Sequence, residues 1–126
     1  MKGVAYSKGC VLIKCLMKQY VIDGLRLEDH HKLKEYLDQH TEPAPLGGIY
    51  WMPLPEDILT PEQAAHTDCR PHVFGLMLEE TQLAAELLVR IKKNIKCDCM
   101  AYADKTQRDW LIDQTDAILE QLAIRV

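Results

Sequence analysis

The sequence predicts an α+β fold: a single-layer antiparallel or mixed sheet of four to five strands, with helices packed on one face and a helix at the C-terminus. Three observations lead there. Two segments place apolar residues at helical spacing beside capping residues, several short runs alternate or are rich in β-formers, and clusters of proline and glycine separate them.

Met17-Lys18-Gln19-Tyr20-Val21-Ile22 reads as a first strand, closed by the turn dipeptide Asp23-Gly24. The domain proper is expected over residues 17–126, with 1–16 a loosely held N-terminal extension, as from an early start codon. Between Leu27 and His40, the apolar residues Leu33, Tyr36 and Leu37 recur at spacings of three and four with charges between them, the pattern of an amphipathic helix. Residues 41–48 carry two prolines and two glycines and form a loop. A short β-prone run follows, Ile49-Tyr50-Trp51-Met52, ended by Pro53 and Pro55.

Thr60-Pro61-Glu62-Gln63 is a helix start. Threonine caps the orphan amides, proline suits the first helical position, and glutamine three residues on completes a capping box. This helix should be short and stop near 66–68, before Pro71.

Val73 to Leu78 is expected as a strand, and so is Ile95 to Ala103, where Ile95, Cys97, Cys99, Ala101 and Ala103 alternate with polar or larger residues. Residues 83–91 fit two periods. Leu83, Ala85, Leu87, Val89 and Ile91 alternate as in a strand, while Leu83, Leu87, Ile91 and Ile95 fall four apart as on a helix. The strand reading gives a three-stranded meander with a tight turn at Lys93-Asn94, and the β-branched Val89 and Ile91 favour it. The helix reading gives a ferredoxin-like βαββαβ order plus a terminal helix. Asp104 as N-cap, Gln107 three positions later, and the stripe Leu111, Thr115, Ile118, Leu122 flanked by Trp110 and Ala117 define the last helix.

At 126 residues, with 48% hydrophobic and 27% charged, the chain can bury a core without needing disulfides or metals. The net charge of −4 hides an asymmetry. Residues 1–22 hold four lysines and no acid, so the rest is acidic, with 11 basic against 19 acidic residues. Phosphate recognition needs a clustered basic face, so nucleic acid is not an expected partner. The other basic run, Arg90, Lys92, Lys93 and Lys96, reads as a solvated edge or turn. The apolar run Cys10-Val11-Leu12-Ile13 stops at Lys14, short of the roughly 7–15 residues of a signal core. No stretch approaches the roughly 18 apolar residues of a membrane span. A cytoplasmic location is expected, with the five cysteines as thiols.

One constellation could carry chemistry. His66-x-x-Cys69-x-x-His72 together with Cys97-x-Cys99 supplies the imidazole and thiolate ligands that zinc and similar transition metals prefer, and four of these five would fill a tetrahedral site. Alternation along a strand would place both later sulfurs on one face. The same alternation sets Cys97 and Cys99 in register with Ile95, Ala101 and Ala103, and favours core packing for that pair. His66 and His72, flanking a helix end, could cap carbonyls or lie in solvent. A nucleophilic Cys69 with His66 or His72 as base and Asp68 or Asp98 as orienting group is a third reading, but no elbow or oxyanion arrangement surrounds Cys69. In Asp29-His30-His31, adjacent residues point about 100° apart on a helix and cannot readily share a ligand.

No P-loop, GxGxxG or HExxH motif is present. The expected function is therefore a non-enzymatic binding or protein-interaction module. The alternative is a metal-binding protein that uses His66, Cys69, His72, Cys97 and Cys99, with zinc as the cofactor. If a protein partner or a second copy docks, Tyr50, Trp51 and Met52 form the apolar patch it would use.

Overall fold

The computed structural model describes residues 3–6, 18–45, 47–91, 97 and 99–125. In chain order these form β1 (Gly3–Tyr6), β2 (Lys18–Asp23), α1 (Leu27–His40), β3 (Glu42–Pro43), β4 (Ile49–Pro53), α2 (Pro61–Ala65), β5 (His72–Leu78), β6 (Gln82–Glu86), β7 (Leu88–Ile91), β8 (Ala101–Tyr102) and α3 (Lys105–Gln121). The fold is α+β, and every strand pairing is antiparallel.

Residues 82–91 are extended, so the meander reading holds and the ferredoxin-like order does not. β6 and β7 run through Leu87 as two halves of one long strand, both paired with β5. On their other side the partner changes. The Leu87 amide donates to the Lys18 carbonyl at 2.9 Å, and the Leu87 carbonyl accepts from the Ala103 amide at 2.7 Å. β2 therefore flanks β6, and β8 flanks β7. The sheet runs β1-β2-β6-β5-β4-β3. It has more strands than expected because β1, β3 and β8 are only four, two and two residues long, too short for periodicity to reveal. Gly3–Tyr6, part of the segment expected to be loosely held, pairs along β2.

Alternation fixes which face is covered. Tyr20 and Ile22, Tyr50 and Met52, Phe74, Leu76 and Leu78, and Leu83, Ala85, Leu87 and Val89 all point into one core. Leu33 and Leu37 of α1 and Leu111, Ile118 and Leu119 of α3 close that core from the same side. Each fully buried leucine contributes roughly 2 kcal/mol of transfer free energy, and the indole of Trp110 stacks on Phe74 with ring centres 6.2 Å apart. Two tyrosines tie the helices to the sheet through their polar ends. Tyr20 donates to Asp116 of α3 at 2.6 Å, and Tyr50 donates to Asp38 of α1 at 2.9 Å. Tyr50 and Met52 are thus core residues, and of the three patch candidates Trp51 alone is only half-buried.

Gly24, at φ +77°, ends β2 as its turn dipeptide implies, and Gly48, at φ +82°, begins the approach to β4. The end of the expected strand 95–103 differs. The Met100 amide donates to the Cys97 carbonyl at 3.1 Å to close a turn, and among the described residues of that segment only Ala101–Tyr102 pairs as a strand. The turn expected at Lys93-Asn94 lies outside the described residues.

Candidate metal centre

Two tight turns meet at one end of the sheet. The first grows out of α2. Thr60 Oγ1 accepts from the Gln63 amide at 3.2 Å, and Gln63 Oε1 accepts from the Thr60 amide at 3.1 Å, the reciprocal capping box expected from the sequence. The helix ends at His66, whose carbonyl accepts from the Cys69 amide at 3.0 Å to form one 3₁₀ turn over Thr67–Cys69. In 3₁₀ geometry residues three apart eclipse one another, which sets the His66 and Cys69 side chains on the same side. One turn thus offers two donor atoms, an imidazole nitrogen and a sulfur, on the same side.

The second turn is Cys97–Met100. It brings Cys97 Sγ to 2.9 Å from His66 Nδ1, thirty-one positions away in sequence. Cys69 Sγ lies 4.0 Å from the same nitrogen. With Cys99, the four donor atoms all fall within 4.8 Å of one another and could hold a metal ion. A tetrahedral ion with bonds to sulfur of about 2.3 Å would set neighbouring sulfurs about 3.8 Å apart, so the widest pair would close by at most about 1 Å while the 2.9 Å His66–Cys97 contact would open by roughly half an ångström. Cys99 is buried at 1% exposure; the other three are half-buried.

The sulfurs are unequal. Hydrogen bonding from the Cys99 backbone, then from the Cys99 thiol, pulls the Cys97 thiol down to about 7. Burial, then hydrogen bonding with the Cys97 and Cys69 thiols, pushes Cys99 up to about 12. Three adjacent sulfurs cannot all become thiolates without a positive charge among them. A divalent cation reverses this, since a coordinating thiol is deprotonated outright.

His72 lies outside this group. Pro71 ends the turn and His72 opens β5, where its side chain joins the core-facing row with Phe74, Leu76 and Leu78. It is 2% exposed, and among the described residues neither ring nitrogen has a hydrogen-bond partner. Burial first, then the charges of Arg70 and His66, push its pKa down, which keeps the ring neutral. The expectation that His66 or His72 lies in solvent is corrected for His72. Cys97 and Cys99 are likewise on a turn, not in a strand row, although Cys99 is as buried as a core residue. For the nucleophile reading, Asp98 lies outside the described residues, and the histidine nearest a sulfur is His66 against Cys97 rather than Cys69.

The sequence did not reveal what supports the site. Gln63 Nε2 donates to the Cys99 carbonyl at 3.2 Å, and Gln107 Nε2 donates to Gln63 Oε1 at 2.8 Å and to the Ile58 carbonyl at 3.0 Å. Gln107 is itself the third residue of the α3 capping box, accepting from the Asp104 amide at 3.1 Å. Both glutamines were visible as capping residues; their pairing was not.

In Asp29-His30-His31 the first two residues make structural contacts. Asp29 is wholly buried and accepts from the Arg26 amide at 3.0 Å and from its guanidinium at 3.2 and 3.3 Å, and His30 Nδ1 meets the Glu79 carbonyl at 2.9 Å. No helix among the described residues is long and apolar enough to cross a membrane. Comparison with protein-family models, curated proteins and solved structures finds no significant match.

Proposed function

We propose that this chain is a non-enzymatic module whose fold is cross-linked by one zinc ion, held by His66, Cys69, Cys97 and Cys99. The observation that carries this reading is the convergence of one imidazole and three sulfurs, from two separate turns, within 4.8 Å. Nitrogen and sulfur donors in a set of four match zinc in preference to magnesium or calcium, which take oxygen ligands. Four protein ligands close the coordination sphere and leave no position for a substrate, which is the hallmark of a structural rather than a catalytic site. The ion would join the end of α2 to the approach to α3, segments separated in the chain by β5, β6 and β7. Reduced thiols are needed to hold it, which suits a cytoplasmic location.

Metal analysis of protein purified without a histidine tag tests the reading. One equivalent of zinc per chain is expected, lost in Cys97→Ser and Cys69→Ser and retained in His72→Ala. Metal-free wild-type protein that takes up no added zinc, yet is fully stable, would overturn it.

A further inference from the structure

The two capping boxes are joined, and their junction touches the metal centre. Gln63 and Gln107 are 1% and 0% exposed, and both are the third residue of a helix. Each spends its side-chain oxygen on the amide of its own N-cap residue, at 3.1 Å in both cases. That choice fixes the orientation of each amide group. With Gln107 Oε1 turned to Asp104, Gln107 Nε2 must face inward, where it finds Gln63 Oε1 and the Ile58 carbonyl. With Gln63 Oε1 taken twice, Gln63 Nε2 is left aimed at the Cys99 carbonyl. The donors and acceptors therefore run in one direction, from the start of α3 through the start of α2 to the turn that carries two sulfurs.

We infer that Gln63 is a positioning residue of the metal centre, and that Gln107 orients it: the Gln63 amide holds the Cys99 carbonyl so that the Cys97–Met100 turn presents its sulfurs to His66 and Cys69. The inference rests on the metal reading above. The geometry behind it is direct. His66 caps the C-terminus of the same short helix, three residues beyond Gln63, so one helix and its cap carry both an imidazole ligand and the clamp for the opposite turn. Cys99 is buried, so its carbonyl has no solvent to fall back on, and a buried carbonyl without a donor is strongly disfavoured. Partners of this kind, which set the orientation of ligands without touching the ion, commonly alter metal affinity 10–100-fold when removed.

Gln63→Glu separates positioning from helix capping. A glutamate keeps the volume and still accepts from Thr60 and Gln107, since glutamate is itself a standard third residue of a capping box. In its ionised form it replaces the donor facing Cys99 with an acceptor and adds a buried negative charge; Gln107→Met, which adds no charge, separates the two effects. Thr60→Ala does the reverse, weakening the cap while leaving the Gln63 amide on Cys99. The probe is cobalt(II), titrated into metal-stripped protein, with its sulfur-to-cobalt charge-transfer and visible d–d bands reporting tetrahedral sulfur ligation. Zinc displacement of cobalt then gives the relative zinc affinity.

The expected result is tetrahedral cobalt in wild type and in Thr60→Ala at affinities within about twofold, with Gln63→Glu weaker by about 10–100-fold and its bands shifted. Gln107→Met, which leaves Gln63 unoriented, should be weaker in the same direction, and it carries the test if Gln63→Glu does not fold. Wild-type affinity in both glutamine variants, or an equal loss in Thr60→Ala, would overturn the positioning role while leaving the metal reading intact. A wild-type chain that takes up no cobalt would overturn the metal reading itself, and this inference with it.

Discussion

His66 Nδ1 and Cys97 Sγ lie 2.9 Å apart although thirty-one residues separate them in the chain. That contact closes a four-donor cluster whose two halves belong to different turns. Holding it together without a cation means keeping most of the sulfurs protonated, and holding it with one means releasing those protons. The first prediction follows from this linkage.

Removing the metal should lower thermal stability in a concentration-dependent way. At free zinc a thousandfold above Kd, the ion adds about 4 kcal/mol to unfolding, or roughly 10–20 °C in Tm for a domain of this size. Calorimetry with and without a strong chelator under reducing conditions measures it. Because binding releases thiol protons, the zinc-dependent part of the stability should shrink as pH falls from 7 towards 5.

The inequality of the sulfurs gives a second prediction, for metal-free protein. Cys97, held down to about 7, should alkylate with iodoacetamide along a titration curve centred near that pH. Cys99, buried and pushed up to about 12, should stay unmodified in the folded state throughout the neutral range. Peptide mapping by mass spectrometry distinguishes the two. Zinc should protect both.

How much of this was legible in the sequence depended on how local the signal was. Thr60-Pro61-Glu62-Gln63 and Asp104 with Gln107 specify helix starts through atoms within three residues, and both helices begin there. Leu33 and Leu37, four apart, are legible as a buried stripe for the same reason. The continuing three-residue spacing groups His72 with His66 and Cys69, but Pro71 breaks the turn and hands His72 to β5. Cys97 and Cys99 alternate like strand residues, and nothing nearby in sequence announces that the Met100 amide will close a turn on Cys97. The amide pair Gln63 and Gln107, forty-four positions apart, depends wholly on how two helix starts pack. The burial and capping role of Asp29 are not legible in the sequence because arginine at 26 is not a usual N-cap.

Asp29 supplies a third prediction. Hydrogen bonding from the Arg26 side chain, outweighing burial, holds its carboxyl below the usual carboxylate range. A depressed folded pKa stabilises the protein at pH above the ordinary carboxylate value and is lost as pH falls through the lower folded value. Asp29→Ala should cost about 1–3 kcal/mol at neutral pH, through the lost cap and the orphaned Arg26 amide. Asp29→Asn should flatten the acid limb of the stability curve. Urea denaturation at pH 7 and pH 3 reads both effects.

The two tyrosines give a fourth. Burial, reinforced by the hydrogen bond to Asp38, pushes Tyr50 up to about 12, and burial with the bond to Asp116 pushes Tyr20 higher still. A raised folded pKa means stability that is complete below the ordinary value near 10 and declines as pH rises beyond it. Tyr20→Phe and Tyr50→Phe should each cost about 1–2 kcal/mol, since each leaves a carboxylate short of one donor. Ultraviolet titration of the folded protein should show both phenols un-ionised at pH 10.5, with full ionisation only on unfolding.

Leu87 divides the long strand between two neighbours, β2 on its amide side and β8 on its carbonyl side. Both halves share one core with the helices, but the turns that carry His66, Cys69, Cys97 and Cys99 adjoin the β7 half, leading into β5 at His72 and into β8 at Ala101. If the proposed ion is bound, stripping it should fray the β7–β8 end while the amides of β2, β6 and the β6-paired part of β5 keep their resistance to deuterium, leaving a folded stump rather than an unfolded chain.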